Sequence, residues 1–242
     1  MNYIDNYYEF RDLDLKHGFF IKPYNFNPST LNNDELKENY DKVKEILALK
    51  NISIVKQEHT NVIRVVDESN MNDYEVADGM ITNVKGIGLA TRVADCQAIL
   101  LYDPVTHTIG NVHSGWKGTV KKIVKEAILK MKEIYNVNPS DLKVFICPSI
   151  GGCHFEVDED VYLQFKDSFD EVDIDKYTEL KKDINKYYLD AEKINRDLLI
   201  TLGVKNDNIA LSNMCTVCNG DTIHSYRFEK DKSGRNLAII SL

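Results

Sequence analysis

The stretch ADCQAILLYDPVTHTIGNVHSGWKG, residues 94–118, constrains this chain more than any other. Ala98–Tyr102 and Thr108–Val112 read as strands, and Asp103-Pro104-Val105-Thr106 between them has the residues of a turn. Beyond it, Val120, Ile123, Val124, Ala127, Ile128, Met131, Ile134 and Tyr135 recur three and four apart. That stripe predicts an amphipathic helix over 118–135. A hairpin running into a long helix calls for a sheet covered by helices. A second helix is predicted around Leu36, Tyr40, Val43, Ile46 and Leu47, a third over 158–166, and a fourth after Asp190 with Gly203 past its end. Further strands are predicted at 52–55, 62–66, 87–91, 144–147, 208–211, 222–228 and 237–241. The irregular alternation favours an α+β fold with a mixed sheet flanked by helices. No repeat or Gly/Pro/Ser-rich linker interrupts the chain, so 1–242 reads as one layered domain.

Charge and patterning exclude several function classes. Thirty Lys and Arg against thirty-eight Asp and Glu leave a net charge of −8 with no basic cluster, which argues against nucleic acid as a partner. The longest apolar run is the five residues Ala98–Tyr102, too short to span a membrane. The start, MNYIDNYYEFRDLDLKH, lacks the basic and apolar regions of a secretory signal. The five cysteines therefore read as reduced thiols in a cytoplasmic protein.

A symmetric turn at 103–106 sets Cys96 opposite His113, with side chains on one face about 4.5–5.5 Å apart. A thiolate and an imidazole on neighbouring strands suit Zn²⁺, and His59, just before a strand, is the leading third ligand. Three protein ligands leave one position open, as in catalytic zinc sites. Spacing alone leaves simple burial of Cys96 as the alternative. His113 leads into Ser114-Gly115-Trp116-Lys117-Gly118, a strand-to-helix turn suited to an anion. Lys117 is the first candidate for phosphate or carboxylate there, with Arg92 and Arg227 behind it.

The ordered motifs QEHTNVIRVV, ADGMIT, TRVADCQAILLYDP, HSGWKGT, PSIGGCHFEV and CTVC…HSYRFEKDKSGRNLAII resemble the YfiH-like family over about residues 17 to 242. Its members are described as multicopper polyphenol oxidoreductases (laccase-domain proteins) and as purine nucleoside phosphorylases. The resemblance implies that His59, Cys96 and His113 hold one metal ion in a mixed α/β layered fold. It also implies phosphorolysis of adenosine, inosine or S-methyl-5'-thioadenosine, and hydrolytic deamination of adenosine. Purine nucleosides and phosphate would then be the partners, with a homodimer left open. This chain departs from the family in three places. Lys117 stands where Arg is usual, Thr60 where Gly is usual, and Lys22–Ser29 replaces a Gly-Gly-Val-Ser stretch.

Competing readings are a copper-dependent polyphenol oxidase, a zinc-stabilised binding protein without catalysis, and a thiol hydrolase using Cys96 with His113. The first needs a histidine-rich copper cluster, which six scattered histidines supply poorly. Cys215-Thr-Val-Cys218 has the spacing of half a zinc ribbon or a redox pair, with no second C-x-x-C to complete either. Cys153-His154 follows Gly151-Gly152 in a turn close enough in sequence to reach the site. Cys147 reads as core, and His17, His107 and His224 as satisfied or exposed. Trp116 and Phe155 are the aromatics best placed to stack on a purine.

Overall fold

The computed structural model describes residues 1–11, 13 and 15–242. The chain opens with β1 (Asn2–Ile4), β2 (Tyr7–Glu9), β3 (Lys16–Phe20) and α1 (Asn33–Ile46). Six strands follow: β4 (Asn51–Ser53), β5 (Ile63–Val65), β6 (Gly79–Thr82), β7 (Ile87–Val93), β8 (Gln97–Asp103) and β9 (Thr108–Ser114). Next come α2 (Trp116–Val120), α3 (Ile123–Tyr135), β10 (Lys143–Ile146), β11 (Glu156–Val157), α4 (Glu159–Ser168), β12 (Thr178–Lys181) and β13 (Lys186–Leu189). The chain closes with α5 (Ala191–Thr201), β14 (Ile209–Leu211), α6 (Tyr226–Glu229) and β15 (Asn236–Ser241).

Two six-stranded mixed sheets organise these elements, ordered β1-β2-β3-β15-β7-β4 and β14-β10-β8-β9-β6-β5. Most neighbours are antiparallel; β4–β7, β5–β6 and β10–β14 are parallel. Alternation along the strands explains how the sheets are covered. Leu89, Ala238 and Ile240 of the first sheet share a core with Ala98, Leu100 and Ile109 of the second. The intervening Ile99, Leu101 and Val112 face a core closed by Ile123, Ala127 and Met131 of α3, Phe165 of α4 and Ile194 and Leu198 of α5. On the far side, Ala90, Leu237 and Ile239 meet Val43 of α1 and Leu47 just beyond it. Strands buried on both faces read as continuous apolar runs, which is why Ala98–Tyr102 is unbroken.

The mixed α+β architecture matches the sequence expectation, with four local corrections. The predicted helix over 118–135 is broken: Lys122 takes a left-handed φ of 55° between α2 and α3. The break lets α2 pack on α4 and α5 while α3 lies across β5, β6 and β9. Ile46 is exposed, so the buried side of α1 runs through Val43 to Leu47. Residues 222–228 are not a strand. Ser225 caps α6 by accepting from the Phe228 N–H, and Tyr226 and Phe228 stay about half exposed, so their alternation imitated a strand without a buried face. The three-stranded sheet β11-β13-β12 and the strands β1–β3 were not foreseen; β1, β12 and most of β13 are only partly buried, which weakens the period-two signal.

Candidate metal centre

His113 lies near the end of β9, Cys96 at the bend between β7 and β8, and His59 between β4 and β5. Their ligand atoms all fall within 4.8 Å of one another. Cys96 Sγ lies 3.7 Å from His59 Nε2, and the two imidazoles are nearly perpendicular with centroids 5.0 Å apart. The hairpin register differs from the symmetric turn expected. Ala98, not Cys96, pairs with His113, and Asp103 pairs with Thr108. The turn takes Pro104–His107, with His107 at φ 51°. An even slip keeps every side chain on its face, so Cys96 still reaches the histidine from one step beyond the strand.

Asp78, at the entrance to β6 and fully buried, organises the site. Its Oδ1 pairs with His113 Nδ1 at 2.7 Å and accepts from the His59 N–H at 3.0 Å. Its Oδ2 accepts from the Thr60 N–H and hydroxyl at 2.6 and 2.8 Å and from the Glu58 N–H at 3.2 Å. Thr60, where the family resemblance expects Gly, thus anchors the loop with its own side chain. These bonds hold His59 at φ 58°, a region costly for a side chain unless its surroundings impose it. With Nδ1 engaged by Asp78, His113 keeps Nε2 for the site, the orientation typical of metal-binding histidines.

The electrostatics are those of a thiolate–imidazolium cluster. Burial would raise the Cys96 thiol, but the charge and hydrogen bond of His113 and the hydrogen bond of His59 outweigh it and bring it down to about 6. Burial would lower His113, but Cys96 and Asp78 hold it up at about 9. Desolvation opposes ionisation of Asp78 too, yet the bonds from His113 and Thr60 push its carboxyl well below the usual range. Gly115 completes the packing. A Cβ there would sit 2.5 Å from His59 Cδ2 and 3.0 Å from Cys96 Sγ. Gly115→Ala is therefore expected to weaken metal binding at least about tenfold, measured by chelator competition, with the melting temperature little changed.

The trio opens onto a cavity of about 580 Å³, within the range that holds a small organic ligand. Arg92, Arg227 and Arg235 line it, as do Trp116, Phe155 and Tyr226. Lys117 is not among the lining residues; it is exposed, with its ammonium 5.5 Å from the Trp116 ring centroid. A helix of five residues has little dipole to offer an anion, so the positive wall of the cavity is arginine. Arg235 was missed although its motif, KSGRNL, was in view. Only the fold shows that Arg235, just before β15, shares the cavity wall with Cys96. Arg227 is held in place by the carbonyl oxygens of His154 and Glu156, at 3.0 and 3.2 Å. Arg92 donates to Tyr74 Oη at 2.8 Å.

Residues 17–242 match the family described as multi-copper polyphenol oxidoreductase laccase. The chain belongs to this family. Among curated members, purine nucleoside phosphorylase YlmD of Bacillus subtilis is 32% identical over 194 residues, covering 77% of this chain and 69% of that protein. A purine nucleoside phosphorylase of Clostridium acetobutylicum is 31% identical over 222 residues, covering 89% and 86%. The crystal structure of YlmD from Geobacillus stearothermophilus superposes with a TM-score of 0.87 at 26% identity, covering 93% of this chain and 90% of that one.

Against the family's multi-copper description stands the distribution of histidine in this member. His17 is buried against the Phe10 N–H and Leu15 carbonyl, His107 is exposed in a turn, and His224 is buried between Glu229 and the Tyr24 carbonyl. Among the described residues, two groups are arranged to hold a metal: the trio, and Cys153, His154, Cys215 and Cys218. Neither resembles a histidine-rich trinuclear cluster. Cys153 and His154 thus join the C-x-x-C pair instead of the first site. Cys147 is core, as expected. No described helix is long and apolar enough to cross a membrane.

Proposed function

We propose that the chain is a cytoplasmic, zinc-dependent purine nucleoside phosphorylase acting on adenosine, inosine and S-methyl-5'-thioadenosine. The observation that carries this reading is the floor and wall of one cavity: a His₂Cys trio beside three arginines and a set of aromatic rings. Relatives named purine nucleoside phosphorylase support it. The donors suit zinc, since the 3.7 Å Cys96–His59 separation is close to the S···N edge of about 3.5–3.6 Å of a zinc tetrahedron. His59, Cys96 and His113 would hold the ion, which when bound supplies Lewis-acid polarisation of the substrate.

The chain's own residues account for the rest. Asp78 fixes the His113 imidazole through Nδ1 and keeps Nε2 turned to the cavity. The arginines bind phosphate and set one of its oxygens against the sugar carbon. As the new C–O bond forms, the bond to the purine nitrogen breaks and the base leaves with its electron pair. Trp116 and Phe155 present apolar faces to the purine. The proposal extends to hydrolytic deamination of adenosine in the same cavity.

Metal-quantified protein incubated with each nucleoside, with and without phosphate, tests the reading. Free base and sugar phosphate are expected only when phosphate is present, and inosine from adenosine without it. No turnover of any nucleoside by zinc-loaded protein overturns the assignment. Oxygen consumption with phenols would instead establish the copper oxidase.

A further inference from the structure

The side chains of Cys153, His154, Cys215 and Cys218 come from two segments some sixty residues apart, and all four ligand atoms lie within 4.8 Å of one another. Cys153 Sγ is 3.7 Å from Cys218 Sγ. His154 Nδ1 lies 3.2, 3.6 and 3.5 Å from the sulfurs of Cys153, Cys215 and Cys218. A zinc tetrahedron with Zn–S of about 2.3 Å and Zn–N of about 2.0–2.1 Å has S···S edges of about 3.8 Å and S···N edges of about 3.5–3.6 Å. Three of the four separations fall within about 0.1 Å of those edges. The sulfurs are too far apart for a disulfide, whose S–S bond is about 2.05 Å.

The backbone is shaped around the cluster. Cys215–Cys218 is a tight turn, with the Asn219 N–H and side-chain amide both donating to the Cys215 carbonyl. Gly151 lies so close that a Cβ there would stand 3.1 Å from Cys215 Cβ, 3.5 Å from Cys153 Sγ and 3.6 Å from Cys215 Sγ. A Cβ at 151 would press on Cys215 Cβ while standing at ordinary contact distance from both sulfurs, so the backbone here packs closely against the cluster.

We infer that Cys153, His154, Cys215 and Cys218 form a second, closed Cys₃His site for Zn²⁺, separate from the trio and structural in character. Four protein donors leave no position for substrate, as in structural zinc sites. Binding fastens two loops that both support the first cavity. Thr216, inside the C-x-x-C turn, donates to Asp95 Oδ1 at 2.6 Å, and Asp95 Oδ2 accepts from the Arg227 N–H at 2.6 Å. The His154 carbonyl accepts from the Arg227 guanidinium. Asp95 itself sits at φ 81° beside Cys96. The second ion therefore acts as a brace that positions Arg227 and the Cys96 bend, without touching substrate.

Metal stoichiometry and cobalt spectra test this without any activity assay. Wild-type protein is expected to carry two zinc ions per chain by elemental analysis, and Cys96→Ser one. Co²⁺ added to metal-free Cys96→Ser should give the charge-transfer and intense d–d bands of a tetrahedral thiolate site. Cys153→Ser and Cys218→Ser, both at exposed positions, should each weaken those bands and zinc affinity at least about a hundredfold with the far-ultraviolet spectrum unchanged. One zinc in the wild type and none in Cys96→Ser would overturn the inference. So would a Cys153–Cys218 disulfide found by mass spectrometry in protein as isolated under reducing conditions, with one zinc per chain. Two ions per chain with no nucleoside turnover would leave this site standing and remove only the proposed activity.

Discussion

His59→Ala is expected to lose the trio's zinc and nucleoside turnover while the protein stays folded. His59 is exposed and contributes no packed side chain to a core, so its truncation belongs with surface changes of about 0.5 kcal/mol or less. Its donor nitrogen is nonetheless one of three. Altering a residue that only orients a zinc ligand costs about 10–100-fold in affinity or activity. Removing a ligand should therefore exceed about a hundredfold in zinc affinity, with turnover falling at least as far. Cys96→Ala should do the same. His113→Ala should add a fall in melting temperature, because it leaves the buried Asp78 carboxylate facing a void. Zinc content, turnover and thermal midpoint measured on the three variants check this pattern. Any of them retaining one ion at the trio and full activity would remove the site from the chemistry.

Asp78 separates positioning from ligation. Asp78→Asn keeps the shape but loses the charge and one acceptor, so the His113 tautomer and the 58–60 loop are no longer both held. The expected result is zinc binding about 10–100-fold weaker and a matching loss of turnover, read by chelator competition. Asp78→Ala should instead destabilise the fold by about 3–5 kcal/mol, because it strips a buried network of its shared acceptor. It leaves the N–H groups of Glu58, His59 and Thr60 without their shared partner. A denaturant midpoint distinguishes the two variants. If Asp78→Asn binds zinc as tightly as the parent, the carboxylate is only a loop anchor.

Much of this was legible along the chain wherever an element has one buried side and a clear end. The amphipathic stripe from Val120 to Tyr135 marked the covering helix, Asp190 and Gly203 bounded α5, and an unbroken apolar run marked β8. The meeting of Cys96 and His113 was legible because a hairpin restricts which residues can meet, whereas His59, on a loop outside it, was suggested by its place before a strand and by the family resemblance. A two-residue error in register did not matter, since strand faces repeat every second residue. Asp78 was passed over inside ADGMIT because its task depends on a loop about twenty residues away. Lys117 drew attention at an apparent helix start, but the helix breaks at Lys122 and the lysine turns to solvent.

By itself the sequence determined the α+β class, the sided strands and helices, and a candidate ligand set drawn from soft and borderline donors. These follow from periodicity and from the chemistry of single side chains, which are local properties. Tertiary structure alone decided what long-range packing decides. It set which arginines face the cavity and which carboxylate orients His113. It also brought Cys153 and His154 to the cysteine pair sixty residues on, because pairing Ser149 with Cys215 carries both segments to one place. Distances between segments depend on sheet order and register, and no local pattern encodes them.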